Sequence, residues 1–337
     1  MPPRNLPFPP MEAELVAELP AGGGWQYEPK WDGFRGVLEN LDGELHLWSR
    51  NARPLLRYFP ELAPLGERLP PGSALDGEIV IERGGALDFD ALQMRLHPAE
   101  SRVRRLADET PAQLVCFDVL SLESEPVHRL ALEERRRRLE QLPFEISPCT
   151  LDRGVAERWL ERLETAGFDG VVAKRLGQPY RPGSREAVVK VKRHKTADCV
   201  VAGVRWAKAG ERIATLLLGL YDGSGKLWYV GSAAVGARRE AEVAALVRPL
   251  LDDAPDRRFS EPSRWGSGEL EEAAVRPELV IEVRYDKWQD HRFRHGTRLE
   301  RFRPDKDPAQ CTIDQVRPRP KPGDPTVGTL LSSARSA

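Results

Sequence analysis

The sequence predicts an α+β chain of two domains. Mixed, mainly antiparallel sheets with flanking helices are expected over residues 1–195, a small β-barrel of the OB type over 196–316, and a flexible Pro/Ser-rich tail over 317–337. Three observations lead there. A length of 337 residues exceeds what one hydrophobic core normally organises, and surface-to-volume scaling favours two. Through the first domain, strand-length apolar runs alternate with helical ones, the pattern of sheets wrapped by helices. Beyond it, five strand-like runs and one helical run follow within roughly 110 residues, which fits an OB barrel.

Taken in order, residues 11–18 have a helix-like spacing of apolar positions. Gly22-Gly23-Gly24 then breaks the chain, and residues 25–30 read as a strand. Pro29 lacks an amide proton and pushes Glu28 toward extended backbone, so this strand should run out at Lys30 and leave that side chain at a loop mouth. Residues 34–39 and 44–49 flank Asn40-Leu41-Asp42-Gly43, a hairpin signal in which Asp-Gly supplies positive φ values. Further strands are expected at 75–82, 114–120, 170–174 and 187–193, and helices at 55–69, 132–142 and 155–166. The charged run 133–138 reads as a solvated helix face with local pairs. In the second domain, strands are expected at 200–206, 213–221, 226–230, 279–285 and 298–302, with a helix over 238–251. Gly223-Ser224-Gly225-Lys226 imitates a phosphate-binding loop but lacks the earlier glycine and the following Ser or Thr, so a hairpin turn is the better reading.

Composition excludes some classes of function. No apolar run approaches the roughly 20 residues that a bilayer span needs, and the opening Met-Pro-Pro-Arg has no secretory-signal character, so a cytoplasmic protein with no membrane partner is expected. Cys116, Cys149, Cys199 and Cys311 form no Cys-x-x-Cys pair and read as reduced thiols. His291 and His295 stand in an extended run where they need not share a face, and read as surface or nucleic-acid-facing groups rather than metal ligands. The net charge of −1 argues against adhesion to nucleic acid through the overall field, but the charge is unevenly spread. Residues 174–195 hold Lys174, Arg175, Arg181, Arg185, Lys190, Lys192, Arg193 and Lys195 against the single acid Glu186. A second basic stripe, 284–306, places Arg292, Arg294, Arg298, Arg301, Arg303 and Lys306 near Trp288 and Phe293. Such stripes suit phosphates and sugars.

The chemistry concentrates in five segments: Glu28-Pro29-Lys30-Trp31-Asp32-Gly33-Phe34-Arg35, then Leu75-Asp76-Gly77-Glu78-Ile79-Val80, Phe117-Asp118-Val119, Asp169-Gly170-Val171-Val172-Ala173-Lys174 and Val189-Lys190-Val191-Lys192. An amine attacks a phosphate only when uncharged and in line with the leaving group, and neighbouring positive charge favours that form. Strand side chains alternate, so Val189 and Val191 should point to the core while Lys190 and Lys192 face the other side together. Two cations there can neutralise charge that grows on a phosphate. In this order and at these separations, the segments resemble the motif series of covalent nucleotidyltransferases, the superfamily of ATP-dependent DNA ligases, RNA ligases and mRNA capping enzymes. Arg303-Pro304-Asp305-Lys306 resembles the last ligase motif, so the likeness covers almost the whole chain. It is similar above all to compact bacterial ATP-dependent DNA ligases of the C type, which consist of an adenylation domain and an OB domain.

The resemblance implies an enzyme that seals nicks in duplex DNA, in repair, through a lysyl-AMP intermediate, with ATP as the AMP donor and Mg2+ or Mn2+ as cofactor. It assigns catalysis to Lys30, Lys190 and Lys192, with Lys30 carrying AMP. Nucleotide binding falls to Glu28 near the adenine amine, Phe117 stacked on the purine, Arg35 and Glu78 at the ribose, and Lys174, Lys190 and Lys192. Arg50 would clamp the 5′-phosphate of the nick, and Arg303, Asp305 and Lys306 would meet the pyrophosphate. Asp169 and Glu78 would hold the metal. Asp169 stands where the family has glutamate, so its reach is one methylene shorter. The OB domain would swing about a hinge at residues 195–198. The implied partners are ATP, nicked duplex DNA and a repair polymerase or end-binding protein, and a monomer associated with the nucleoid is expected. Without the additional N-terminal DNA-binding domain of larger ligases, affinity for nicks should be modest and salt-dependent. The alternatives are an RNA ligase or capping-type nucleotidyltransferase, and a catalytically silent nucleic-acid clamp.

Overall fold

A computed structural model describes residues 6, 8–193, 195–207, 212–252, 272–289, 291–294, 296–317 and 320–335. The chain divides into two compact units, Met1–Arg193 together with Pro320–Ala337, and His194–Arg319.

The first unit is built on two sheets. Its strands are β1 (Glu14–Val16), β2 (Trp25–Lys30), β3 (Phe34–Leu41), β4 (Glu44–Ser49), β5 (Ser73–Arg83), β6 (Ala112–Ser121), β7 (Gly170–Arg175) and β8 (Val188–Val191). One sheet runs β1-β8-β7-β2, antiparallel except for the parallel pair β1–β8. The other contains the antiparallel run β4-β3-β5-β6. Asp42 (φ 54°) and Gly43 (φ 95°) close the β3–β4 hairpin with both residues in the left-handed region, the conformation that a two-residue turn needs to match strand twist. Four α-helices, α1 (Phe89–Met94), α2 (Glu100–Glu109), α3 (Leu132–Glu140) and α4 (Arg153–Arg162), cover the sheets. Leu38, Leu47, Phe59, Leu75, Ile79, Leu92 and Leu139 form the main core, while Tyr27, Ala156, Val171, Ala173 and Val191 form a second cluster with half-buried Val189 packed on it.

The second unit is a closed barrel of β9 (Lys195–Trp206), β10 (Ile213–Tyr221), β11 (Leu227–Ala234), β12 (Val280–Tyr285) and β13 (Thr297–Phe302). Pairing follows β10-β11-β13-β12-β9, and β9 returns to β10 to close it. Only β11 and β13 are parallel, and α5 (Glu240–Val247) lies between β11 and β12 in sequence, an OB arrangement. Val200, Leu216, Leu218, Val230, Ile281, Val283 and Leu299 fill the interior. The Gly223–Lys226 segment is the β10–β11 turn, held by Asp222 Oδ1 accepting from the amides of Ser224 and Lys226.

Five expectations need correction. Residues 11–18 form no helix; residues 14–16 pair as β1 with a strand more than 170 positions later, and that pairing overrides the local spacing. Residues 55–69 adopt two 3-10 segments, Leu56–Tyr58 and Pro60–Glu67, because Pro60 and Pro64 withhold the amides an α-helix would use. The run 133–138 is not all solvated. Arg135 and Arg136 are buried, Arg135 with a two-pronged pair to Asp118 at 2.7 and 3.0 Å and Arg136 donating to the Ser147 carbonyl at 2.8 Å. Residues 195–198 pair continuously with residues 285–282 inside the barrel, so no hinge lies there; the two units divide after Arg193, and His194, like His295, lies outside the described residues. Finally, the terminal segment is no loose tail: α6 (Val327–Arg335) belongs to the first unit. Val327, Leu330 and Leu331 pack with Trp31, Val80, Val115 and Phe168, and Arg162 binds Asp324 and the Gly323 carbonyl. No helix among the described residues is long and apolar enough to cross a membrane.

If α6 is an integral part of the first unit, Leu330→Ala will lower its unfolding free energy by about 2–4 kcal/mol, the usual cost of emptying a buried leucine site. Urea denaturation followed by Trp fluorescence measures this, and an unchanged midpoint would return the segment to the status of a tail.

Candidate active site

Three strand ends create the centre of the site. β2 stops at Lys30, whose carbonyl accepts from the Asp169 amide at 3.1 Å, and Lys30 pairs in register with Gly170 at the start of β7. Gly170 has φ +147°, and a Cβ there would lie 2.0 Å from the Val191 carbonyl oxygen. Only glycine therefore lets the end of β8 come close enough to deliver Lys192 to Asp169. Asp169 Oδ2 lies 2.7 Å from Lys30 Nζ and 2.9 Å from Lys192 Nζ. Burial works to raise the Asp169 carboxyl, but Lys30 and then Lys192 overcome it and hold the group well below the usual carboxylate range. Lys190 is nearby. Its ammonium is pushed below the usual lysine value, first by desolvation and then by the positive charges of Lys30, Lys192 and Arg185.

A cleft of about 920 Å³ opens over this centre, lined by Glu28, Lys30, Arg35, Arg50, Glu78, Phe117, Lys174 and Lys190 among others. That size suits a nucleotide. At one end, Lys174 Nζ lies 2.7 Å from Glu28 Oε1 and donates to the Phe117 carbonyl at 2.8 Å. The Phe117 ring is flanked by Lys174 Nζ at 4.9 Å and Arg35 Cζ at 4.7 Å from its centroid. Arg35 is held from behind: Nε and Nη2 donate to the two oxygens of Asp76 at 2.6 and 2.5 Å, and Nη2 also donates to the Met11 carbonyl at 3.1 Å. Asp76 is fully buried and takes a third donor, Tyr180 Oη, at 2.7 Å. Glu78 Oε1 accepts from the Gly33 amide at 3.2 Å. Burial pushes the Glu78 carboxyl up to about 7, against the opposing pull of Arg35 and Lys30. At the other end Arg50 is exposed, with Nη1 3.9 Å from Glu12 Oε1; Arg185 pairs with the other oxygen of Glu12 at 2.5 Å.

The structure thus brings together Lys30, Lys190, Lys192 and Asp169, and lines one cleft with Glu28, Arg35, Arg50, Glu78, Phe117 and Lys174. Arg303, Asp305 and Lys306 belong to the second unit, in the turn after β13. Asp76, Asp118, Tyr180 and Arg185 escaped the sequence reading as site residues. Asp76 and Asp118 lay inside segments already singled out, and Arg185 inside a basic stripe, whereas nothing local marks Tyr180. Groups of three or more acidic, His or Cys side chains suited to a metal are absent among the described residues. Asp169 and Glu78 fit a hydrated divalent cation that arrives with phosphates, since such ions keep most of their waters and take only one or two carboxylates.

The profile described as "ATP dependent DNA ligase domain" matches residues 10–192, and "ATP dependent DNA ligase C terminal region" matches residues 209–306. DNA ligase C2 of Mycolicibacterium smegmatis is 42% identical over 339 residues, covering 92% of this chain and 94% of that protein. The multifunctional non-homologous end joining DNA repair protein LigD of Mycobacterium tuberculosis is 30% identical over 295 residues, covering 85% of this chain and 37% of that longer protein. Among solved structures, a Lig E DNA ligase superposes with a TM-score of 0.53 at 16% identity, covering 87% of this chain and all of that one, a likeness of fold.

The raised Glu78 carboxyl has a consequence for stability. Below the usual glutamate value of 4.5 the group is protonated folded or unfolded and contributes nothing. Between 4.5 and about 7 the unfolded chain releases the proton while the folded one keeps it, so stability falls as pH rises, by at most about 3 kcal/mol once complete. Glu78→Gln should therefore stabilise the protein at pH 8 and make no difference at pH 4.5, as read by denaturant midpoints at the two pH values. An equal effect at both would mean that Glu78 does not titrate in this window.

Proposed function

The chain belongs to the family of ATP-dependent DNA ligases, and from that premise we propose that it seals nicks in duplex DNA by carrying AMP on Lys30. The observation that bears most on this reading is Lys30 itself, the one lysine at the end of β2, facing the cleft with Lys190 and Lys192 beside it.

In the first step Lys30 Nζ attacks the α-phosphorus of ATP, forming a P–N bond as the bond to pyrophosphate breaks. The amine must first leave Asp169 and lose its proton. Asp169, held well below the usual carboxylate range, is too weak a base to take that proton, which passes to solvent water in the open cleft. Lys190 and Lys192 neutralise charge on the α-phosphate. Phe117 and Glu28 receive the adenine, Arg35 and Glu78 the ribose, Lys174 holds Glu28 and the Phe117 backbone in place, and Arg303, Asp305 and Lys306 meet the pyrophosphate. Mg2+ or Mn2+, held by Asp169 and Glu78, would supply charge neutralisation on the phosphates. In the second step AMP passes to the 5′-phosphate of a nick, which the Arg50 guanidinium clamps. In the third, the 3′-hydroxyl displaces AMP and the phosphodiester closes.

Ligase relatives favour DNA over RNA or cap as the substrate, and the filled catalytic positions weigh against a silent clamp. A place in repair, alongside a polymerase or end-binding protein, fits the likeness to LigD. The protein would act as a monomer.

Incubation with ATP and divalent metal should add the mass of one AMP to the intact chain, and Lys30→Ala should abolish both that adduct and nick closure. An adduct surviving in the variant would move the nucleophile elsewhere. Because gripping DNA displaces counterions while free ATP does not need them displaced, raising salt from about 50 to 200 mM should slow sealing by at least tenfold and self-adenylation far less. Equal slowing would place the salt-sensitive contact in the nucleotide cleft.

A further inference from the structure

Within the second unit, one carboxylate gathers the cations of the turn after β13. Asp198 lies on β9, opposite Glu282 of β12. Its backbone is fixed on both sides by the Gln315 side chain: the Asp198 amide donates to Oε1 at 2.9 Å, and Nε2 donates to the Asp198 carbonyl at 2.9 Å. Its two carboxylate oxygens take different partners. Arg303 Nη1 donates to Oδ1 at 2.9 Å, and Lys306 Nζ lies 3.3 Å from Oδ2. Arg303 turns its remaining donors onto Asp305, Nε at 2.9 Å and Nη2 at 2.8 Å.

The two acids are not equivalent. The Asp305 side chain is 64% exposed and rides on the same turn as the cations, whereas that of Asp198 is 14% exposed and belongs to a central barrel strand. Asp198 is thus a fixed point and Asp305 is not. Long Arg and Lys side chains lose substantial rotamer freedom when ordered, and a group that orders both before a ligand arrives removes that cost from binding.

We propose that Asp198 is the positioning residue for Arg303 and Lys306, setting the two cations side by side so that they meet the pyrophosphate portion of ATP as a unit. The proposal rests on the reading of those two residues as pyrophosphate contacts. It assigns Asp198 to the adenylation step alone.

Asp198→Asn keeps the size of the side chain and removes its charge. Self-adenylation at subsaturating ATP should fall about tenfold through a higher KM for ATP. Single-turnover closure of nicked DNA by enzyme already loaded with AMP at saturating ATP should not change. Asp198→Glu, which keeps the charge but displaces it by one methylene, should raise the KM as well, and covers the case in which the Asn variant fails to fold. Loss of both steps in equal measure, or of neither, overturns the positioning role. Arg303→Ala, assayed in parallel, separates the two levels. If it adenylates normally, the pyrophosphate reading falls and the proposal with it; if it is impaired while both Asp198 variants are not, only the role of Asp198 is overturned.

Discussion

One oxygen of Asp169 holds the ammonium groups of Lys30 and Lys192, and the cleft is arranged around that contact. Three strands must converge for it to form. β2 ends on the first lysine, β7 begins one residue after the aspartate, and β8 ends one residue before the second lysine. Gly170 permits the convergence by leaving room for the Val191 carbonyl. The local charge is unbalanced: the three lysines Lys30, Lys190 and Lys192 stand against Asp169, and Glu78, pushed up to about 7, adds only a partial negative charge near neutrality. A half-buried cluster with that surplus is built to receive an anion. Asp169 keeps it together until one comes.

Behind this centre, buried acids fix the groups that would face a nucleotide. Asp76 spends its carboxylate on Arg35 and Tyr180, so the guanidinium beside the Phe117 ring cannot wander. Asp118 is gripped by Arg135 of α3, and Lys174 donates to the carbonyl of the adjacent Phe117. The aromatic ring is therefore presented by a backbone clamped from two directions. Such charges are expensive to bury, and removing one partner of a buried pair typically costs about 3–5 kcal/mol. Their return is precision in the groups that they hold.

How far this could be read from sequence depended on how local the cause was. The β3–β4 turn was legible because Asp42-Gly43 has few other uses, and the barrel because five strand-like runs and one helix leave few alternatives. Lys30, Asp169, Lys190 and Lys192 were legible because their chemistry demands particular side chains in a particular order. Non-local causes were hidden. Residues 14–16 are a strand only because β8 runs beside them, and Arg135 is buried only because Asp118 waits for it. The terminal helix was masked by its Pro- and Ser-rich surroundings, although Val327, Leu330 and Leu331, spaced by three and four, carried the signal of an apolar helix face. The expected hinge failed for the opposite reason: Lys195-Thr196-Ala197-Asp198, polar at three of its four positions, is also compatible with a strand whose neighbours satisfy its backbone.

The terminal helix also changes how the chain is strung between the two units. Since Pro320–Ala337 returns to the first unit, the chain passes between the units twice, after Arg193 and again after Arg319. At the second passage, Gly323 and Asp324 are anchored by Arg162, six residues beyond Arg317. A chain spans at most about 3.3–3.6 Å per residue, so those six steps reach about 20 Å. α6 thereby links the packing around Trp31, the residue that follows Lys30, to the second passage of the chain between the units.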